Sequence, residues 1–226
     1  MSRRPSDRCV SHVAAWIAAT GRQVRPDRDQ VRRFLDWLEP GGRGFAFRTF
    51  SETAYTRLPG SDPLETALLG TLDDCWDRLL QLNRAGAAVS VTVNASNGRG
   101  RAPQDMVRVR ALFVDDDHPP AGRPPFPVAP QVTVESSPGR FHHYWRVHEL
   151  PLERFGPLQR RLAEVYGCDH RVFAVNQSMS LPGFWRRKHS RLLVQARLRT
   201  LRDGPALSPA QIDRLTMALA APPRPR

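Results

Sequence analysis

Arg110-Ala111-Leu112-Phe113-Val114-Asp115-Asp116-Asp117 runs from one arginine through four apolar residues into three consecutive aspartates. With the preceding Met106–Val109, whose apolar density rises toward Val114, the pattern predicts a strand over Met106–Asp115. Side chains alternate across a strand, so Asp115 and Asp117 share one face and Asp116 points away. Two carboxylates this close raise each other's pKa unless something compensates. A divalent cation does so well, because Mg2+ takes one or two carboxylates plus substrate phosphates. That is the metal half of two-metal phosphoryl transfer. A solvated acidic turn leading into Pro119-Pro120 fits the same spacing.

Downstream, Gln131–Glu135 and Phe141–Val147 read as a hairpin around Ser136-Ser137-Pro138-Gly139-Arg140. In the second strand His142, Tyr144 and Arg146 fall on one face. Phe141, His143, Trp145 and Val147 fall on the other, expected to be the core side. Backbone N–H groups of a small polar turn form an anion nest, and arginine adds charge. Ser136, Ser137, Arg140, His142 and Tyr144 are therefore candidates to hold a triphosphate, against the plainer reading of a half-exposed strand. A third patch, Leu181-Pro182-Gly183-Phe184-Trp185-Arg186-Arg187-Lys188-His189, sets basic residues beside two aromatics. Arg186, Arg187, Lys188 and Trp185 suit a nucleic-acid backbone with a base-stacking platform; a solvated basic loop over core aromatics is the alternative.

Elsewhere the chain reads as short helices and strands. Helical spacing appears at Val10–Thr20, Asp29–Leu38, Pro63–Leu69, Leu72–Asn83 (after Thr71, a plausible N-cap), Leu152–Tyr166 and Pro209–Leu219. Strands are expected at Phe45–Phe50, Ala88–Asn94 (with one wet face), near Ser180–Leu181 and at Leu192–Leu198, and Pro119–Pro127 has no expected regular structure. The sum is an α+β chain with a mainly antiparallel central sheet flanked by helices. Three parts follow: a helical extension over 1–43, a central domain over 44–200, and a short helix with a frayed tail over 201–226.

The 226 residues carry 34 Lys+Arg against 22 Asp+Glu, a formal charge of +12, and Lys188 is the single lysine. A GC-rich coding bias accounts for arginine over lysine, whereas the surplus of charge suits a polyanionic partner. The longest apolar run, Val13–Ala19, falls far short of the roughly 20 residues that span a bilayer, so no membrane role and a cytoplasmic location are expected. Cys9, Cys75 and Cys168 lie too far apart for a disulfide scaffold or a CxxC zinc site.

Taken in order, Gly86–Asn94, Arg108–Asp117, Glu135–His142 with Tyr144-Trp145, and Leu181–Lys188 resemble the RepB-like primase domain, from primases of plasmids, phages and integrated mobile elements in the archaeo-eukaryotic primase superfamily. The likeness runs from about Phe45 to Ala196. It implies an RRM-like catalytic sheet, Mg2+ or Mn2+, NTP or dNTP as substrate, and primer synthesis on a single-stranded DNA template. Asp115 and Asp117 match the family's paired metal-binding aspartates, and His142 matches the histidine expected at the nucleotide phosphates. Arg186, Arg187 and Lys188 lie where basic residues follow the Leu-Pro-Gly segment. One position departs: the family's third acid, seven residues before that Leu, is Ala174 here. Either two carboxylates suffice, or Asp169 substitutes as a ligand, or Asn176 supplies a neutral oxygen, or polymerisation is impaired.

Two other readings compete with a primase. A catalytically impaired single-stranded-DNA-binding replication or mobilisation protein on the same scaffold would have Ala174 as its mark. A relaxase-like nuclease using His142, His143 and Tyr144 needs both histidines on one face, which a strand forbids. A zincin is excluded because His148-Glu149 lacks the second histidine. No P-loop signature is present, so unwinding falls to a separate helicase.

Overall fold

The computed structural model describes residues 25–52, 62–117, 121, 123, 125–188 and 192–217. The helix expected at Val10–Thr20 lies outside them. Helix α1 (Arg28–Leu38) is capped by Asp27, whose carboxylate accepts from the Gln30 N–H at 3.1 Å. Strand β1 (Phe45–Phe50) follows, then β2 (Thr66–Gly70), α2 (Leu72–Arg84) and β3 (Ala88–Thr92). Thr71 caps α2 through a reciprocal capping box with Asp74. A small ribbon of β4 (Ala95–Ser96) and β5 (Met106–Arg108) precedes β6 (Ala111–Asp116), β7 (Val132–Ser137) and β8 (Arg140–Arg146). The chain closes with α3 (Leu152–Tyr166), β9 (Ser178–Ser180), β10 (Trp185–Lys188), β11 (Leu192–Gln195), β12 (Arg197–Leu201) and α4 (Pro209–Thr216).

Two four-stranded sheets of wholly antiparallel pairs organise the molecule, ordered β2-β1-β3-β9 and β12-β7-β8-β6. The fold is mixed α/β with antiparallel sheets, as the sequence predicts. Val31, Phe34, Leu35 and Leu38 of α1 join the same core as Val91, Leu112, Tyr144 and Leu162. The stretch expected as an N-terminal extension thus contributes directly to the central packing.

Several local expectations are corrected. Pro63–Leu69 is not helical: Thr66–Gly70 pairs along β1 as an edge strand, an alternative its short local pattern does not reveal. Strand β3 is buried along its length: Ser90 Oγ donates to the Arg48 carbonyl at 3.1 Å and Thr92 Oγ1 lies 3.1 Å from Ser178 Oγ, so the expected wet face narrows to Ser90, which borders a cavity. Met106–Asp115 breaks at Val109-Arg110, where the Arg110 N–H is taken by Asn94 Oδ1 at 3.2 Å rather than by a strand. Leu192–Leu198 is two strands, since the chain passes at Ala196 from the β10-β11 ribbon to the β7 edge. The basic run at 185–188, for which a solvated loop is the alternative reading, is strand β10.

Two contacts fix the geometry around the acidic cluster. Strand β6 is a sheet edge, and its outward backbone groups would be left unpaired without cover. Gln159 of α3 supplies that cover, accepting from the Phe113 N–H at 3.1 Å and donating to the Phe113 carbonyl at 2.9 Å. Two residues on, the Asp169 N–H donates to the Asp115 carbonyl at 3.1 Å. Within Leu-Pro-Gly, Gly183 has φ +91°, and a Cβ there would come within 2.4 Å of the Asp27 carbonyl oxygen. The glycine is therefore required where this turn meets the start of α1.

Candidate active site

Antiparallel pairing sets Asp115 opposite His142, with His142 Nε2 3.6 Å from Asp115 Oδ1. That oxygen is buried and accepts no hydrogen bond. Burial, then the neighbouring Asp117 and Asp169, push the Asp115 carboxyl up to about 7. Asp117, just past the end of β6, accepts from Arg140 Nη1 at 2.5 Å. Asp116 points to the other side, as alternation requires, into a buried cluster with His143 and Arg123. Burial there raises its pKa, but hydrogen bonds from His143 and Arg123 outweigh it and hold the group below the usual range.

Asp115, Asp117, Ser136 and His142 line one wall of a cavity of about 280 Å³. The other sheet supplies the opposite wall with Arg48 and Phe50 of β1, Ser90 of β3 and residues 177–180 around β9, while Arg186 enters from β10. Arg186 donates to Ser180 Oγ at 2.6 Å and forms a buried ion pair with Glu52. It turns inward toward the carboxylates, rather than standing on an open basic surface. Arg48 Nε is buried without a hydrogen-bond partner, and Arg101 donates to Ser178 Oγ at 3.1 Å from behind the wall.

The remaining candidates lie elsewhere. Tyr144 is fully buried against Phe34 and Phe113 and does not line the cavity, although its hydroxyl lies 3.4 Å from His142 Nδ1. Both faces of β8 are covered, so its His142 face is no less a core side than the Trp145 face. Ser136 and Ser137 belong to β7, and the turn shrinks to Pro138-Gly139. Trp185 Nε1 donates to the Arg25 carbonyl at 3.0 Å, and Phe184 is core, packed 5.6 Å from Trp76. Arg187 alternates with Arg186 along β10, and Lys188 ends it. Asp169 lies outside the walls of this cavity; Arg171 Nη2 grips its carboxylate at 2.8 Å and lowers its pKa. Asn176 uses its amide to donate to the Arg101 carbonyl at 3.0 Å.

Sequence reasoning missed Arg48, Phe50, Ser90 and Gln177. They reach the cavity through pairing of strands some 40 to 90 positions apart, and no local pattern announces that.

The family model for the RepB DNA-primase N-terminal domain matches residues 77–200, more than half of the chain. The chain belongs to that family. No curated protein matches it. Among solved structures, the AEP domain of the cyanophage S-2L primase-polymerase superposes with a TM-score of 0.62 at 19% identity, covering 85% of this chain and 100% of that one. Primase RepB' gives 0.58 at 21% identity over 83% of this chain and 61% of its own. The catalytic domain of RepB', solved in complex with initiator DNA, gives 0.57 at 21% identity over 83% of this chain and 92% of its own. These likenesses establish the fold of a primase domain.

A divalent cation suits the residues in one specific way. Among the described residues no three His, Cys, Asp or Glu side chains are grouped to hold a metal ion. The Asp115–Asp117 pair, with a buried oxygen that accepts no hydrogen bond, instead fits a cation whose remaining ligands are water and substrate phosphate, the habit of Mg2+. No described helix is long and apolar enough to cross a membrane.

Proposed function

We propose that this domain is a DNA primase that makes short primers on single-stranded DNA, from NTP or dNTP, for replication of a plasmid, phage or integrated mobile element. One observation carries the reading: Asp115, with a buried oxygen that accepts no hydrogen bond, shares a cavity with Asp117, His142 and Arg186. Asp115 and Asp117 would hold Mg2+ or Mn2+. When bound, the cation lowers the pKa of the attacking 3′-hydroxyl and neutralises phosphate charge. His142, Arg48 and Arg186 face the same space and bind the triphosphate. Ser136 lines the same cavity. Asp169 acts through its N–H on the Asp115 carbonyl, orienting β6, and not as a ligand. A separate helicase opens the duplex.

A second reading has one observation in its favour. With Ala174 where the family carries an acid and no grouping of three metal-binding side chains among the described residues, the scaffold would bind single-stranded DNA without polymerising. Wild-type protein is incubated with circular single-stranded DNA, labelled nucleotides and Mg2+ or Mn2+. Short labelled products support the primase and show an acid at position 174 to be dispensable. Tight binding of the same DNA without product supports the second reading.

A further inference from the structure

Away from the carboxylates, a second cluster of charge is unbalanced. Glu39 Oε2 accepts from both Arg110 Nε and Arg108 Nη2, each at 2.5 Å. Burial would raise the Glu39 pKa, but the two guanidiniums hold it below the ordinary range. Arg110 is 2% exposed and fully engaged, donating also to the Gly44 carbonyl at 3.1 Å and lying over the Phe45 ring. Burial, and then the repulsion of Arg108 and Arg43, lower its pKa even beside that carboxylate. Two guanidiniums thus share one carboxylate, Arg43 adds its charge beside Arg110, and Arg43 and Arg108 reach solvent.

Two cavities, of about 340 and 460 Å³, meet at this cluster and share Glu39, Arg43, Arg108 and Arg110 in their walls. The first has an apolar floor of Phe45, Leu69 and Val107. Leu69 is 38% and Val107 56% exposed, and they are two of only four exposed large hydrophobics among the described residues. Exposed guanidiniums beside the exposed aliphatic side chains of Leu69 and Val107 suit a strand of nucleic acid with its bases unpaired: phosphates meet the cations, and base faces cover the apolar surface. A duplex would hide its bases from that floor.

We propose that this groove is a second binding site for single-stranded DNA, at the opposite end of β6 from the carboxylates. Arg110 and Asp115 are five residues apart, about 16 Å along an extended strand. The groove therefore holds template at a distance from the reacting nucleotide. The primase reading is needed only to name the ligand as DNA.

The test measures binding of a labelled oligothymidylate by fluorescence anisotropy, without metal or nucleotide, across a salt series. Arg43→Ala/Arg108→Ala should weaken binding about tenfold and flatten the logarithmic salt slope by about 1.4, at roughly 0.7 for each single-strand phosphate that is no longer neutralised. Val107→Asp, at a position 56% exposed, should weaken binding several-fold. Affinity and slope unchanged in the two groove variants would overturn the proposal and leave the groove to another partner. A wild type that binds DNA through this groove yet makes no primer contradicts only the nucleotidyl-transfer reading.

Discussion

Asp115 sits where burial and two neighbouring carboxylates all oppose its ionisation, and this has a measurable consequence. Its folded pKa of about 7 stands above the ordinary value of 3.8, so the folded state holds a proton that the unfolded state has released. The resulting penalty is absent below about pH 4, grows as pH rises toward 7, and is complete above it. Metal-free protein should lose stability between pH 5 and pH 8 by on the order of 2 kcal/mol through this group. Thermal unfolding of Asp115→Asn should lack that part of the decline, and Mg2+ at pH 8 should raise the wild-type midpoint but not that of the variant. Arg186 presents the inverse case. Removing it leaves Glu52 buried and unpaired, and Glu52 Oε2 already has no hydrogen-bond partner. Arg186→Ala should therefore cost about 3 kcal/mol in a denaturant titration, and Arg186→Ala/Glu52→Ala should recover part of it.

At the scale of elements, the carboxylates stand where they do because Gln159 finishes an unpaired sheet edge. Gln159→Ala leaves the Phe113 N–H and carbonyl without those partners inside the core. It should destabilise the fold by about 1–3 kcal/mol, and Asp115→Ala in the same assay should not. Much of this was legible in the sequence. The alternation of Asp115, Asp116 and Asp117, the hairpin around Pro138-Gly139, the Thr71 cap and the helices α1 and α3 all follow from local patterns. The rest depends on partners far along the chain. Tyr144 reads as a surface residue until Phe34 and Trp37 of α1 pack over it. Arg186 reads as one of a run of cations for a nucleic-acid backbone, and nothing local announces that Glu52 meets it across 134 positions. Thr66–Gly70 looks helical because nothing in its own sequence names β1 as a partner.

Across the whole molecule, two antiparallel sheets meet at a cavity whose walls divide by charge, acidic from β6 and basic from β1 and β10. That division is what nucleotidyl transfer requires, with a cation held on one side and a triphosphate received on the other. On the proposed reading, the departure at Ala174 would leave metal binding to Asp115 and Asp117. The most direct measurement is primer synthesis by Asp115→Ala beside the wild type, with circular dichroism and thermal unfolding to show that the variant is folded. Short metal-dependent products from the wild type and none from the folded variant are predicted. Undiminished synthesis by Asp115→Ala would contradict the assignment of this cavity as the catalytic centre.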